Sequence, residues 1–227
     1  MQIAIHQPHY FPNLAYFYKI AKCDIFVFLD TAQYSKNNWI NRNKIKTPTG
    51  WQWLTVPVVY SFGDWIMDVG TANSEWQARH IKSLEMNYKR AAFFDEIFRA
   101  ISPHLESDRW NCCLADLNER LIHELSVDLK LNTIFLQASN YSLEGKSTEL
   151  LVSIVKRLRG TQYLSGTGAK KYMDESLFEK AGIELIYTDF KHPEYNQLWG
   201  EFIPNLSILD LLFNHGFEGS RKILLGE

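Results

Sequence analysis

Two histidines follow the first apolar segment of the chain. Residues 2–6 are mostly apolar, and His6, Gln7, Pro8, His9 and Tyr10 come at their end. Imidazole titrates near neutral pH and can act as general acid or base, although a histidine at a strand end can equally be a structural hydrogen-bonding group. Because two histidines share one loop, we expect at least one of them to act on a substrate. No accompanying spacing such as H-E-x-x-H predicts a metal site.

Other polar residues follow later apolar segments. Asp30 ends the run 25–29, with Gln33 just beyond it, and residues 137–140 follow another short run. The carboxylate of Asp30 could bind a hydroxyl, an amine or a base, or it could only cap a helix or form a turn. Ligands of open parallel sheets bind outside the carboxyl ends of the strands, so we expect these groups to converge with the histidines.

A glycine-containing segment follows a further short strand pattern. It reads Ser165, Gly166, Thr167, Gly168, and Lys170 and Lys171 come soon after. Two glycines let the backbone approach a ligand, and amides at the start of a helix favour an anion. The segment therefore predicts phosphate or carboxylate binding with Lys170 as a charge partner. A plain tight turn is the alternative, since neither a Walker loop nor a dinucleotide fingerprint is present.

Two polar segments rich in aromatic residues are further ligand candidates. Residues 37–44 contain Trp39, Asn41 and Arg42, a mixture that suits a ligand with hydroxyl or phosphate groups, or else forms a solvated loop. Residues 191–202 contain Trp199 and directly precede the last helical pattern. This second segment is either an aromatic lid over a site or a packed cover.

The apolar patterns predict an α/β fold that positions these residues. We expect a single domain over 1–227 with a doubly wound, mostly parallel sheet and helices on both faces, interrupted by a loop-rich insertion at about 31–72 that holds one strand. Strands are predicted at 2–6, 25–29, 53–59, 133–136, 162–164 and 184–188. Helices are predicted from residue 14, from a capping box of Ser74 and Gln77 to about 89, and at 91–101, 109–130, 147–158, 170–180 and 206–215, the last stopping at Gly216.

Composition excludes several classes of protein. The chain has 227 residues, 46% hydrophobic content and a formal net charge of -2, so it can bury a full core and has no general basic character for binding nucleic acid. No apolar run is long enough for a membrane span, and the start, Met-Gln-Ile-Ala-Ile-His, lacks the features of a signal peptide, so we expect a cytoplasmic protein. The 3 cysteines are expected to be reduced thiols. The oligomeric state is left open.

Taken together, these segments resemble the WbqC-like protein family over nearly the whole chain. The resemblance rests on six stretches at 3–12, 26–30, 39–43, 53–58, 163–169 and 200–213. It implies a part in the biosynthesis of O-antigen or other surface polysaccharides, with transfer of glycine or another amino acid to a sugar. Because relatives carry an apolar residue or Met at the position of His6, the resemblance moves the catalytic expectation to Gln7, His9 and Asp30.

A fainter resemblance links the first strand, loop and helix to nucleotidyltransferases of the HUP-like class with a His-x-Gly-His signature. Here Ala15-Tyr16 stands where Gly-His would be, which puts nucleotidyl transfer in doubt. Three hypotheses remain. The first is a transferase that joins an amine or amino acid to an activated, phosphate-bearing sugar. The others are an ATP-dependent nucleotidyltransferase or ligase, and a non-enzymic glycan- or nucleotide-binding module.

The first hypothesis assigns a role to each candidate residue. His9, Asp30 and Gln7 are catalytic, and Ser165, Gly166, Thr167, Gly168 and Lys170 bind phosphate. The remaining substrate-binding candidates are His6, Tyr10, Gln33, Trp39, Asn41, Arg42 and Trp199. The expected partner is a small-molecule substrate. A nucleotide or nucleotide-sugar, with Mg²⁺, is the cofactor that the hypotheses allow.

Overall fold

A computed structural model describes residues 1–73, 75–106 and 113–227. The strands in these ranges are β1 (Gln2–His6), β2 (Ile25–Phe28), β3 (Arg42–Thr47), β4 (Gly50–Thr55), β5 (Val58–Val59), β6 (Gly70–Thr71), β7 (Ile134–Gln137), β8 (Gln162–Ser165) and β9 (Glu184–Tyr187). The helices are α1 (Leu14–Ala21), α2 (Glu75–Tyr88), α3 (Phe94–Glu106), α4 (Leu114–Asp128), α5 (Thr148–Arg157), α6 (Glu175–Lys180) and α7 (Ile208–Leu225).

The centre of the fold is a five-stranded sheet in the order β7-β2-β1-β8-β9, with every neighbouring pair parallel. The chain moves outward from β1 through β2 to β7, and then crosses to the other side of β1 to add β8 and β9. The direction of winding therefore reverses between β1 and β8. The predicted α/β class with a parallel sheet is confirmed. The resemblance to HUP-like nucleotidyltransferases stays an expectation.

Helices cover both faces of this sheet. Alternate strand side chains, such as Ala4 and Phe26, join a core that includes side chains of α1, α4 and α7. The intervening ones, such as Ile3 and Val27, pack with side chains of α5 and α6. Strand positions that are buried on both faces are apolar, which is why residues 3–5 of β1 and all of β2 are recognisable as apolar runs.

The insertion is more ordered than its sequence indicates. The single strand predicted at 53–59 is wrong: β4 and β5 replace it, and Pro57 stands between them. β4 pairs antiparallel with β3, and β5 with β6. The sequence of strand β3 lacks an apolar pattern because two of its side chains are cations that lie over tryptophan rings. The guanidinium of Arg42 is 4.3 Å from the ring centroid of Trp53, and Nζ of Lys44 is 4.0 Å from that of Trp51. Cation–π contact thus takes the place of apolar alternation.

One predicted helix boundary is also wrong. The predicted helix at 170–180 is a 3-10 turn at Thr167–Lys171 followed by α6, whose amino end is capped by Asp174. The predicted stop at Gly216 is confirmed as a break within α7: Gly216 has a non-helical φ of 65° and ψ of 179°, and a second helical stretch follows it to Leu225. Ser74 of the predicted capping box and residues 109–112 of a predicted helix lie outside the described residues. In the described ranges, no helix combines the length and apolar composition needed to cross a bilayer.

Candidate functional site

A cavity of about 290 Å³ opens where the winding of the sheet reverses, at the carboxyl ends of β1 and β8. Reversal points of this kind leave a crevice, because the connections on either side lead away in opposite directions. The cavity is lined by His6, His9, Asn13, Ala15, Tyr16, Lys19, Trp39, Asn43, Gly166, Thr167, Gly168, Thr188 and Phe190. We refer to it as the histidine cavity.

His6, His9 and Tyr16 form an aromatic cluster on one wall of the histidine cavity. The ring centroid of His6 lies 4.6 Å from that of His9 and 4.8 Å from that of Tyr16. The main-chain carbonyl of Gln7 accepts a hydrogen bond from the hydroxyl of Tyr16 at 3.0 Å and lies 3.0 Å from Nδ1 of His6. A carbonyl only accepts, so Nδ1 of His6 carries hydrogen and its Nε2 is left as an acceptor.

Lys19 lies one helical turn beyond Tyr16 on α1 and is almost fully buried. Its Nζ donates to the main-chain carbonyl of Ile5 at 3.2 Å, and only 4% of the residue is exposed. Burial lowers the pKa of Lys19 from 10.5 to about 7, because the ammonium loses its hydration. Lys19 is thus poised to gain or lose a proton at neutral pH.

Both imidazoles are uncharged at neutral pH. Burial, and after it the nearby charge of Lys19, lowers the pKa of His9 from 6.5 to about 3. Burial also lowers the pKa of His6, with smaller contributions from Lys19 and His9. An anion bound among these three groups would raise all three pKa values, because negative charge favours the protonated forms.

The glycine segment forms the opposite wall. Gly166 precedes the 3-10 turn at Thr167–Lys171, and a Cβ atom added at Gly166 or Gly168 would meet no other atom within 4 Å. The first amides of a helical turn have no acceptor inside that turn, so they are suited to an anion. Lys170 is exposed and its Nζ lies 5.5 Å from the ring centroid of Tyr187, outside the lining of the cavity.

The insertion supplies the third side of the cavity. Asn43 of β3 donates from Nδ2 to the carbonyls of Phe11 at 2.7 Å and Tyr10 at 3.3 Å, and this fixes the loop after β1. Phe11 has a φ of 39°, a strained conformation that such bonds hold in place. The indole of Trp39 lines the cavity, and the main-chain oxygen of Trp39 accepts from the amide of Tyr10 at 3.0 Å.

Four of the predicted substrate-binding residues make structural contacts elsewhere. The hydroxyl of Tyr10 is buried against Nδ1 of His80 at 2.9 Å. Asn41 donates to the carbonyl of Val56, and Arg42 to that of Asn37. Trp199 donates from Nε1 to the carbonyl of Asn87 at 2.9 Å, so it packs against the end of α2.

Asp30 and Gln33 lie beyond β2, away from the histidine cavity. Asp30 is 3% exposed, and its Oδ1 accepts from the amide of Ser139 at 3.0 Å. Gln33 is exposed and borders a wider groove of about 910 Å³ between the ends of β2 and β7. The edge of the sheet therefore carries separate sites, and the structure does not bring all four predicted groups into one.

Sequence analysis did not single out Asn13, Tyr16, Lys19 or Asn43, although all line the histidine cavity. The first three recur at every third position through the start of α1, which places them on one side of the helix. A polar stripe within an otherwise apolar helix next to a strand end is the signal that could have found them. Asn43 offers no comparable signal.

No group of three or more metal-ligating side chains occurs within the described ranges.

Comparison with known proteins adds two findings. A model of the WbqC-like protein family matches residues 7–222. The chain is also 39% identical over 221 residues to the uncharacterized protein Rv1507c of Mycobacterium tuberculosis (strain ATCC 25618 / H37Rv), a match that covers 96% of this chain and 95% of that protein.

Proposed function

Because this chain belongs to the WbqC-like protein family, we propose that it is a transferase acting on phosphate-bearing small molecules. It joins a small amine or amino acid, such as glycine, to an activated sugar or a related acceptor in the biosynthesis of surface polysaccharides such as O-antigen. The observation that carries the proposal is the histidine cavity, where a lysine with a pKa of about 7 adjoins two uncharged imidazoles and a glycine segment.

The phosphate of the activated substrate binds between the glycine segment and Lys19. Backbone at Gly166 and Gly168 allows close approach because no side chain intervenes, and the opening amides of the turn donate to the anion. The negative charge then raises the pKa of Lys19, so the ammonium form is stabilised and compensates the phosphate. Trp39 provides an aromatic wall for the ring of the sugar or nucleotide.

His9 takes the proton of the attacking amine. With a pKa of about 3, its imidazole is a weak base, but the bound phosphate brings its pKa closer to neutral, where proton transfer is most effective. The amine nitrogen forms the new bond to the activated carbon, the phosphate-bearing group leaves with the electron pair of the broken bond, and the proton passes from nitrogen to His9. Gln7 contributes to catalysis through its main-chain carbonyl, which accepts hydrogen bonds from His6 and Tyr16 and so fixes the positions of their rings.

The proposal is tested by product formation. Purified protein is incubated with a panel of nucleotide-sugars, with and without Mg²⁺ and ATP, and with glycine or another amino acid. Mass spectrometry is expected to detect a product in which the amine has replaced the phosphate-bearing group. The proposal would be contradicted if no such product formed with any member of the panel and if cells that carry His9→Ala still made the same surface polysaccharide as wild-type cells.

A nucleotidyltransferase or ligase that uses ATP is the second candidate. It is favoured by one observation: the start of α1 lies over the cavity that follows β1, as in the HUP-like arrangement that the sequence resembles. Such an enzyme releases pyrophosphate from a nucleoside triphosphate in the presence of Mg²⁺, whereas the proposed transferase does not. A binding module without catalysis would bind a ligand tightly and return it unchanged after long incubation.

A further inference from the structure

A second cavity, of about 420 Å³, opens at the carboxyl ends of β2 and β7 against one side of α4. It is lined by Phe28, Asp116, Glu119, Arg120, His123, Glu124, Phe135, Leu136, Gln137 and Asn140. We refer to it as the carboxylate cavity. None of these residues lines the histidine cavity.

Glu119 is the buried polar group of the carboxylate cavity. Only 7% of the residue is exposed, and its Oε2 accepts a hydrogen bond from Nε2 of Gln137 at 2.6 Å. Its Oε1 is also buried but has no hydrogen-bond partner among the described residues. A buried oxygen without a partner destabilises the protein, so a donor supplied by a ligand would remove this penalty.

The surroundings of Glu119 favour a positively charged donor. Asp116 and Glu124 add two carboxylates to the lining, against one guanidinium from Arg120. The floor is aromatic: the rings of Phe28 and Phe135 stack with centroids 5.5 Å apart and planes at 13°. An ammonium on a small apolar body fits both features, because the carboxylates complement its charge and aromatic faces attract cations.

Glu119 also connects the two cavities. Burial, and after it the negative charge of Glu119, raises the pKa of Tyr16, which lines the histidine cavity. The neighbouring residue Asn118 donates to the carbonyls of Pro8 and Ile40, so α4 is anchored on the loop that carries His9. The carboxylate cavity is therefore linked to the proposed reaction site through Tyr16 and through the loop on which α4 is anchored.

We propose that the carboxylate cavity binds the primary ammonium group of a small amine, with Oε1 of Glu119 as its acceptor. This inference deepens the proposed function, and it rests on that function for the identity of the amine as a substrate. The cavity holds the amine as an ammonium ion before transfer, and this ion leaves one proton on the carboxylate of Glu119 when it departs as the neutral amine that attacks the activated substrate.

Amine binding is expected to depend on pH. Burial raises the pKa of Glu119 from 4.5 to about 8, the Gln137 hydrogen bond opposes this, and the charges of Asp30 and Asp116 add to it. Tyr16 of α1 and Arg120, His123 and Glu124 of α4 are the other titratable groups around it. At neutral pH the carboxyl group of Glu119 is mostly protonated, so an ammonium that binds must displace this proton. Affinity therefore rises as the pH approaches and passes 8.

The test measures binding of benzylamine by isothermal titration calorimetry, with benzyl alcohol as the uncharged analogue. We expect the amine to bind more tightly than the alcohol, and its affinity to rise about 20-fold between about pH 6.5 and 8.5 as Glu119 ionises. Glu119→Gln keeps the shape of the side chain but cannot ionise, so it should weaken amine binding by about ten- to a hundredfold and remove the pH dependence. Glu85→Gln, an exposed change of equal charge on α2, should bind as the wild type does.

Equal affinity for the amine and the alcohol, or wild-type affinity in Glu119→Gln, would overturn this inference. Its failure can be told apart from failure of the proposed function. If the protein catalyses transfer and Glu119→Gln leaves the KM for the amine unchanged, the transferase stands and the amine site is wrong. If benzylamine binds as described but no substrate is turned over, the amine site stands and the transferase is wrong.

Discussion

Replacing Lys19 with methionine should stabilise the protein while sharply lowering the proposed transfer activity. Methionine has nearly the same length and can occupy the same buried space without a charge. Lys19 is 4% exposed, and its pKa falls from 10.5 to about 7 on folding. A shift of this size corresponds to a cost of about 5 kcal/mol for burying the ammonium below pH 7.

The sign of the pH dependence follows from the lowered pKa. Between pH 7 and 10.5 the unfolded chain holds the proton on Lys19 and the folded protein does not, so wild-type stability rises with pH in this window. The methionine variant lacks this dependence. Its advantage over the wild type should therefore be largest at about pH 6 and about 3 kcal/mol smaller at about pH 9. Loss of the hydrogen bond to the carbonyl of Ile5 subtracts about 1 kcal/mol at both.

Urea unfolding followed by tryptophan fluorescence measures these differences. Lys22→Met is the matched control, because Lys22 is exposed at the end of the same helix and its replacement should change stability by less than about 0.5 kcal/mol. The reasoning is refuted if Lys19→Met is less stable than the wild type at about pH 6, or if the difference between the two proteins does not shrink as the pH is raised.

Three further changes test other parts of the structure. Wild-type protein should lose stability relative to Glu119→Gln as the pH rises from 4.5 towards 8, because the pKa of Glu119 is raised and the folded protein holds the proton in that window while the unfolded chain does not. Urea unfolding across this pH range measures the difference. An equal free energy difference between the two proteins at every pH would contradict the prediction. Gly216→Ala should lower the free energy of unfolding by about 1–3 kcal/mol, because φ at this position is +65° and the added Cβ would lie 2.6 Å from Cδ1 of Phe93. An unchanged melting temperature would contradict this prediction. Gly166→Ala should fold normally, since no atom lies within 4 Å of the added Cβ. It should bind a nucleotide-sugar more weakly in calorimetry, because the added methyl group keeps the phosphate away from the backbone. Wild-type affinity would argue against phosphate binding at this segment.

The central sheet could be predicted because its strands are buried on both faces. Residues 3–5 and 25–28 are apolar throughout, and the helix between them begins at an Asn13 cap whose Oδ1 accepts from the amide of Tyr16. These signals are local, so the first βαβ unit follows from sequence alone. The site at the carboxyl end of β1 follows from the same reasoning.

The composition of the site could not be predicted in the same way, because it depends on the order of the strands. The sequence shows that His9 and Asp30 each follow a strand. It does not show that the residues across the crevice from the histidines come from the end of β8 and not from the end of β2. Likewise, the polar stripe on α1 could place Lys19 on the side of the helix that faces the strand end, but it does not show how deeply Lys19 is buried. Its chemistry results from burial, which no local pattern shows.

Buried polar contacts explain the carboxyl-terminal stretch that resembles the family. Asp210 accepts from the hydroxyls of Tyr88 at 2.9 Å and Tyr195 at 3.0 Å, and burial raises its pKa to about 6. Ser207 caps α7 and donates to the carbonyl of Phe11, directly behind the loop of the histidine cavity. The segment at 191–202, which the sequence predicts as a lid or a cover, contributes Tyr195 to these buried contacts, and its Trp199 donates to the carbonyl of Asn87, so these two residues pack as a cover.

The most direct test of the proposed reaction site compares transfer rates in three variants of the purified protein. If the reaction takes place in the histidine cavity, His9→Asn and Lys19→Met should each lower kcat by about a hundredfold or more while remaining folded, as expected for loss of a general base or of the charge on phosphate. Trp199→Phe, a change outside the cavity, should keep a rate close to that of the wild type. Wild-type rates in His9→Asn and Lys19→Met, or a loss confined to Trp199→Phe, would contradict the assignment of this cavity as the reaction site.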